Sequence, residues 1–293
     1  MKACFVCGMA ILLSVNSRAG EKVVDLILVA GQSNAVGFDA RAGDLPEDPR
    51  DRAVMFWWRG GDTPADEHDS SFNQEWVPLQ TQPKGNPKPG RPGNFASAEG
   101  GFGPEMAFAR TLLDHQPDRP LAIVKVAYSA SGIRSWQPGA SLYKALMQET
   151  NLAIEKAREQ GVTLRPRALV WCQGESDSSR HANTENYRKA LETMISALRK
   201  DLDAPELVAL VGFNTAFGLK QAQKKRGPSE NVLKTVAAQK AVADGSEYVE
   251  YVDDWGCQVV NVAHFGSAGT LELGKRYAEA LLRVEAKLKG ASR

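Results

Sequence analysis

Apolar residues are distributed along this chain in two ways. Short solid runs, most plainly Leu26-Ile27-Leu28-Val29-Ala30, show no polar alternation, as a strand buried on both faces of a parallel sheet requires. Longer segments repeat apolar positions every three or four residues, the spacing of a helix with one buried side. The runs predict strands over Val23–Ala30, Ala53–Trp57, Leu121–Val126, Ala168–Trp171, Leu207–Phe213 and Tyr248–Val252. The helical spacing predicts Gly103–Asp114, Ser141–Glu159, Thr184–Asp201, Asn231–Ala243 and Ser267–Lys289. Strand and helix alternate, which predicts a three-layer α/β/α sandwich around a central parallel sheet of about five strands, connected by right-handed crossovers.

Two stretches break the alternation. From about residue 59 to 101, Pro, Gly, Asp and Asn dominate, and Gln82-Pro83-Lys84-Gly85-Asn86-Pro87-Lys88-Pro89-Gly90 suits neither helix nor central strand. A loop of this length inside a domain is usually functional. It reads as an insertion beside a cleft, with Trp76 and Phe95 either stacking on a ligand or pinning the loop to the core. At the amino end, Lys2, the apolar Ala3–Val15 and the small residues of Ser17-Arg18-Ala19 read as a secretory leader over 1–19. The expectation is therefore one domain over 20–293, in a periplasmic or secreted protein. Cys4 and Cys7 leave with the leader; Cys172 and Cys257 remain, and an oxidising compartment would permit them to pair.

Composition is that of a globular protein, 43% hydrophobic and 24% charged, and the formal net charge of +1 implies no nucleic-acid partner and no stable membrane association. No His-x-x-x-His spacing suggests a metal and no glycine fingerprint suggests a nucleotide, so no cofactor is expected.

The candidate chemistry lies where predicted strands end. Gly31-Gln32-Ser33-Asn34 follows the first strand, which puts the Ser33 hydroxyl at the carboxyl edge of a parallel sheet, where such sheets bind ligands. Gly100-Gly101-Phe102-Gly103-Pro104-Glu105 precedes a helix and offers the amides of Gly101 and Gly103 to an anion. Tyr128-Ser129-Ala130-Ser131-Gly132 and Trp136 follow the third parallel strand, and Trp171-Cys172-Gln173-Gly174-Glu175-Ser176-Asp177 leaves a later one. Asn261-Val262-Ala263-His264-Phe265-Gly266 precedes the last helix. Of four histidines, His68 lies in the insertion, His115 ends a helix and His181 sits in a polar loop; His264 has the apolar, glycine-rich surroundings of a positioned base.

In their order these blocks resemble the SGNH-type carbohydrate O-acetylesterases, the group that includes sialate O-acetylesterases and acetylxylan esterases of carbohydrate esterase family six. The resemblance implies an SGNH or flavodoxin-like sheet and a serine esterase that removes acetyl groups from an acetylated carbohydrate through an acetyl-enzyme. It implies Ser33 as nucleophile and His264 as base. The oxyanion would be held by the Ser33 N–H, by Gly101 or Gly103, and by the Gln173 amide; Gln32, Asn34, Trp136 and Asn261 would contact substrate. The chain departs from the pattern at Asn261, where the family carries Asp three residues before the histidine. An amide cannot stabilise imidazolium as a carboxylate does. The resemblance allows Glu175 as the replacement acid, with Asp253 or Asp254 as alternatives. The same departure leaves open a non-catalytic carbohydrate-binding protein on this scaffold.

Overall fold

The computed structural model describes residues 22–60, 69–85, 94–179, 184–218 and 228–291. The leader reading over 1–19, His68, His181 and part of the Pro-rich tract lie outside these residues. The strands are β1 (Lys22–Gly31), β2 (Met55–Gly60), β3 (Val77–Pro78), β4 (Leu121–Ala127), β5 (Val162–Cys172), β6 (Val208–Gly212) and β7 (Val249–Tyr251). The α-helices are α1 (Ser33–Val36), α2 (Ser70–Asn73), α3 (Glu105–His115), α4 (Ser141–Glu159), α5 (Glu175–Ser178), α6 (Tyr187–Asp201), α7 (Glu230–Asp244) and α8 (Ser267–Ala291).

All seven strands form one sheet in the order β3-β2-β4-β1-β5-β6-β7. Pairing is parallel throughout except between β2 and the edge strand β3. The sheet thus has seven strands where the sequence led us to expect about five. The strand with no counterpart in the sequence reading is the antiparallel edge strand β3, whose two residues are too short to register as an apolar run, whereas β7 falls inside the predicted Tyr248–Val252.

Alternation along β1 divides the interior into two cores. Ile27 and Val29 pack with Phe108 and Leu112 of α3 and Leu273 and Leu281 of α8. Leu26, Leu28 and Ala30 pack on the other face with Leu146 of α4, Leu191 and Met194 of α6, and Val242 of α7. Successive side chains of a strand point to opposite faces, so a run apolar at every position is covered by helices on both sides. That is the three-layer arrangement. β5 begins six residues before its predicted start, because Arg165-Pro166-Arg167 interrupts the apolar pattern. Pro166 pairs with Leu26 and Ala168 with Ile27, so Arg167 is the extra residue of a bulge. Both arginines reach the carboxylate of buried Asp25, and Arg167 also holds Glu285 of α8.

The carboxyl ends of adjacent β4, β1 and β5 carry three of the stretches singled out above. Gly31, at φ +141°, is required at the tip of β1, because a Cβ there would lie 2.1 Å from the Cys172 carbonyl oxygen. Beneath the tip, Lys125 of β4 and Glu105 of α3 form an ion pair of 2.8 Å with both side chains almost wholly buried. The Lys125 ammonium also donates to the carbonyl of Val36, the last residue of α1. A buried charge is tolerated when paired, and although Glu105 Oε2 has no hydrogen-bond partner among the described residues, the pair supports the turn that carries Ser33.

Candidate active site

Ser33 is the first residue of α1, which is one turn long. Gly37, at φ +84°, ends it with its N–H on the Ser33 carbonyl, and the Phe38 N–H bonds to the same oxygen. The chain therefore doubles back after one turn, bringing Asp39 alongside Gly266 on the loop between β7 and α8. His264 of that loop meets Asp39, with Nδ1 to Oδ2 at 2.6 Å and both side chains largely shielded from solvent. The Phe38 ring packs against the imidazole at 5.0 Å between centroids. A carboxylate on Nδ1 fixes the tautomer and leaves Nε2 as the free basic nitrogen.

Ser33 and His264 line one cavity of about 590 Å³, together with Gln32, Phe38, Ser129, Ala130, Gly132, Ser176, Ser179, Phe217 and Ala263. Residues some 230 positions apart in the chain thus share one hollow, open to water and walled by Phe38 and Phe217. Among the described residues, no hydrogen bond takes up the backbone N–H of Ser33 or of Gly132. The Gln32 side chain is pinned through Oε1, which accepts from the Ser176 N–H at 3.1 Å and from the Gln173 amide at 3.3 Å.

Several residues expected at the site are placed elsewhere. Glu175 does not meet His264. It is wholly buried, and Oε1 accepts from the Asn34 amide at 2.6 Å and the Asn214 N–H at 3.1 Å. Burial pushes its carboxyl up to about 7, against the pull of those hydrogen bonds. Asp254 accepts from the N–H and hydroxyl of Thr215, and Asp253 from the Trp255 N–H, so neither is the partner of His264. The acid is Asp39.

Nor are Gly101 and Gly103 available to an oxyanion. The Gly101 N–H bonds to the Gln82 carbonyl and the Gly103 N–H to Glu105. The Gln173 amide is consumed as well, donating to Asp177 at 2.6 Å and to the Ser131 carbonyl at 3.1 Å with no solvent exposure. Trp136 is core: its indole N–H bonds to Ser131 Oγ and its ring meets Trp171 edge to face at 5.2 Å. Asn34 faces inward, tied to Glu175, Ala263 and Phe265, rather than toward the cavity. Asn261 accepts from the N–H groups of Ala263 and His264 and donates to Asp39 at 2.8 Å, holding the His264 loop to the Asp39 carboxylate, and does not line the cavity with Ser33. Gln32 is the expected contact residue that does line the cavity. In the insertion, Trp76 bonds to the Ala153 carbonyl and packs on Trp57, and Phe95 is 1% exposed, so both aromatics pin the loop to the core. Cys172 and Cys257 are free thiols.

Asp39 and Phe38 were not singled out by the sequence, and Gly132 was named within the Tyr128–Gly132 stretch but given no role. A carboxylate closely following the Gly-Gln-Ser-Asn turn, in a chain that lacks the acid before its histidine, was a usable signal for Asp39. Gly132 had none beyond its place after β4.

Ala130, on the same turn as Gly132, is held at φ +58°. The resembled family usually carries glycine in this stretch, and a Cβ in the left-handed region costs about 1–2 kcal/mol. Ala130→Gly is therefore expected to raise unfolding stability by about 0.5–1 kcal/mol once the greater freedom of unfolded glycine is subtracted; denaturant titration of the two proteins checks this, and a lower midpoint for the variant would count against strain at this turn.

Comparison with known proteins bears on what the cavity serves. The family model for carbohydrate esterase, sialic acid-specific acetylesterase, matches residues 23–283. A probable carbohydrate esterase of Arabidopsis thaliana is 31% identical over 109 residues, which is 36% of this chain and 40% of the relative. The match thus spans about two fifths of that protein's length. The X-ray structure of the Arabidopsis thaliana protein superposes with a TM-score of 0.63 at 22% identity, covering 88% of this chain and 98% of the other. NanS gives 0.61 at 17% identity, covering 91% and 98%. A carbohydrate acetylesterase from Xanthomonas citri gives 0.54 at 17% identity, covering 90% and 57%. These structures share the fold.

Proposed function

Because the chain belongs to the sialic acid-specific acetylesterase family of carbohydrate esterases, we propose that it hydrolyses O-acetyl esters on a carbohydrate, with Ser33 as nucleophile. The observation that carries this reading is the 2.6 Å contact between Asp39 and His264 beside the cavity that Ser33 lines. A serine hydroxyl is a weak nucleophile until an imidazole accepts its proton. In the proposed sequence Ser33 Oγ attacks the acetyl carbonyl carbon while its proton passes to His264 Nε2. The imidazolium, stabilised by Asp39, then protonates the departing sugar oxygen as the C–O bond breaks, leaving acetyl on Ser33. Water attacks that ester with His264 again as base, releasing acetate and restoring the hydroxyl.

Negative charge on the tetrahedral intermediate requires fixed donors. The N–H groups of Ser33 and Gly132, both on the cavity wall and without a described protein acceptor, are the donors this reading assigns. The 590 Å³ hollow exceeds what an acetyl group needs and leaves room for a leaving group of sugar size. The leader read over residues 1–19 supports action outside the cytoplasm.

With Asp39 on His264, the reason for a non-catalytic sugar-binding reading, the missing acid at Asn261, falls away. The test is acetate release across a panel of O-acetylated sialic acids, acetylated xylo-oligosaccharides and acetylated pectin fragments. At least one glycan is expected to be deacetylated with kcat of about 1–10³ s⁻¹, the usual enzyme range. Binding of an acetylated glycan with no acetate released, and no covalent labelling of Ser33 by a fluorophosphonate, would leave a lectin-like role instead.

A further inference from the structure

Glu175 stands outside the chemistry just described, yet it is a wholly buried carboxylate beside the site. Among the described residues its Oε2 has no hydrogen-bond partner, whereas Oε1 accepts from both Asn34 and Asn214. Those two asparagines converge on one place. The Asn34 amide donates to the carbonyl of Ala263 at 3.0 Å, its own carbonyl accepts the Phe265 N–H at 3.1 Å, and the Asn214 amide donates to Ala263 at 3.0 Å. Ala263 and Phe265 flank His264 on either side. Asn34 in turn follows Ser33 directly, so a single amide joins the backbone at the nucleophile to the backbone on both sides of the base.

We infer that Glu175 is a positioning residue, the anchor of a two-asparagine clamp that fixes the His264 loop against Ser33 from the tips of β1, β5 and β6. The inference rests on the Ser33–His264 reading for its effect on rate, although the clamp itself is a matter of geometry. Glu175 acts through Asn34 and Asn214 and not on the imidazole, whose Nδ1 is already taken by Asp39. What the clamp requires of residue 175 is an acceptor oxygen at Oε1. It does not require a charge, and glutamine supplies that oxygen.

Three variants test this: Glu175→Gln, Glu175→Ala and Asn34→Ala, each measured for kcat and KM on the best acetylated sugar and for amide hydrogen exchange at Phe265. Because misplacement of a reacting group by about 1 Å can cost about 10²-fold, Glu175→Ala and Asn34→Ala are expected to lose about 10²-fold in kcat. Their KM is expected to stay within about threefold, since substrate contacts are untouched. Exchange at Phe265 should quicken in both. Glu175→Gln is expected to hold kcat within about fivefold of the parent, far from the roughly 10⁴-fold loss that Asp→Asn produces at the orienting acid of a serine-protease triad. If Glu175→Ala does not fold, Asn34→Ala reads the same clamp. A glutamine variant as slow as the alanine variant, or folded alanine variants with parental exchange at Phe265, would overturn the inference. Exchange reports the clamp whether or not the protein turns over substrate, so a parent inactive on every acetylated sugar would refute the esterase reading without touching this one.

Discussion

Asp39→Asn is expected to reduce kcat for acetate release by about 10³–10⁴-fold while leaving the fold intact, the scale seen when the carboxylate of a serine-protease triad becomes an amide. The reason is local. Asp39 Oδ2 receives the imidazole at 2.6 Å and the Asn261 amide at 2.8 Å, so the carboxylate both selects the tautomer and stabilises the imidazolium formed when Ser33 is deprotonated. An asparagine at position 39 fits the same space but carries no charge, and its amide can present a donor to Nδ1, which favours the wrong tautomer. KM should change little, because Asp39 lies behind the histidine and is not among the residues lining the cavity with Ser33. Measured kcat on one acetylated sugar decides the matter: a loss below about tenfold would mean that Asp39 is not the orienting acid. Set beside Glu175→Gln, the pair of variants separates a carboxylate needed for its charge from one needed for its oxygen.

Ser33→Ala is expected to have the larger effect, a loss of about 10⁵–10⁶-fold in kcat, since removing the nucleophile of a serine hydrolase leaves only binding and oxyanion stabilisation. The fold should be undisturbed: α1 is closed by main-chain bonds from Gly37 and Phe38 to the Ser33 carbonyl, which alanine retains. Binding of the acetylated sugar should survive, so the variant is also the form in which to capture a substrate complex. Acetate release and circular dichroism on the same preparation provide the check, and turnover within about tenfold of the parent would remove Ser33 from the mechanism altogether.

Much of this molecule was legible before any coordinates. The solid run Leu26–Ala30 predicted a strand covered on both faces, and β1 divides its side chains between two cores. α4 runs from Ser141 to Glu159 as its helical spacing predicts. Errors gathered where local pattern and tertiary demand diverge: β5 continues through Arg165-Pro166-Arg167 because a bulge and the buried Asp25 accommodate those residues, and neither is visible in a run of letters.

The site divides along the same line. Sequence by itself determined which groups sit at strand ends, because hydrophobic runs and the small residues that stop them are local properties of the chain. It therefore placed Ser33 at the carboxyl edge of the sheet, while His264 was singled out only by its glycine-rich surroundings before the last helix and by the family resemblance. Only the tertiary structure decided which carboxylate reaches the imidazole. Glu175, in the more suggestive motif, is turned inward to two asparagines, while Asp39 arrives by a reversal at Gly37 that sets it beside Gly266. Hydrogen bonds act over about 3 Å, and which donors and acceptors come that close depends on how separate strands are laid side by side, an arrangement that no local stretch of residues encodes.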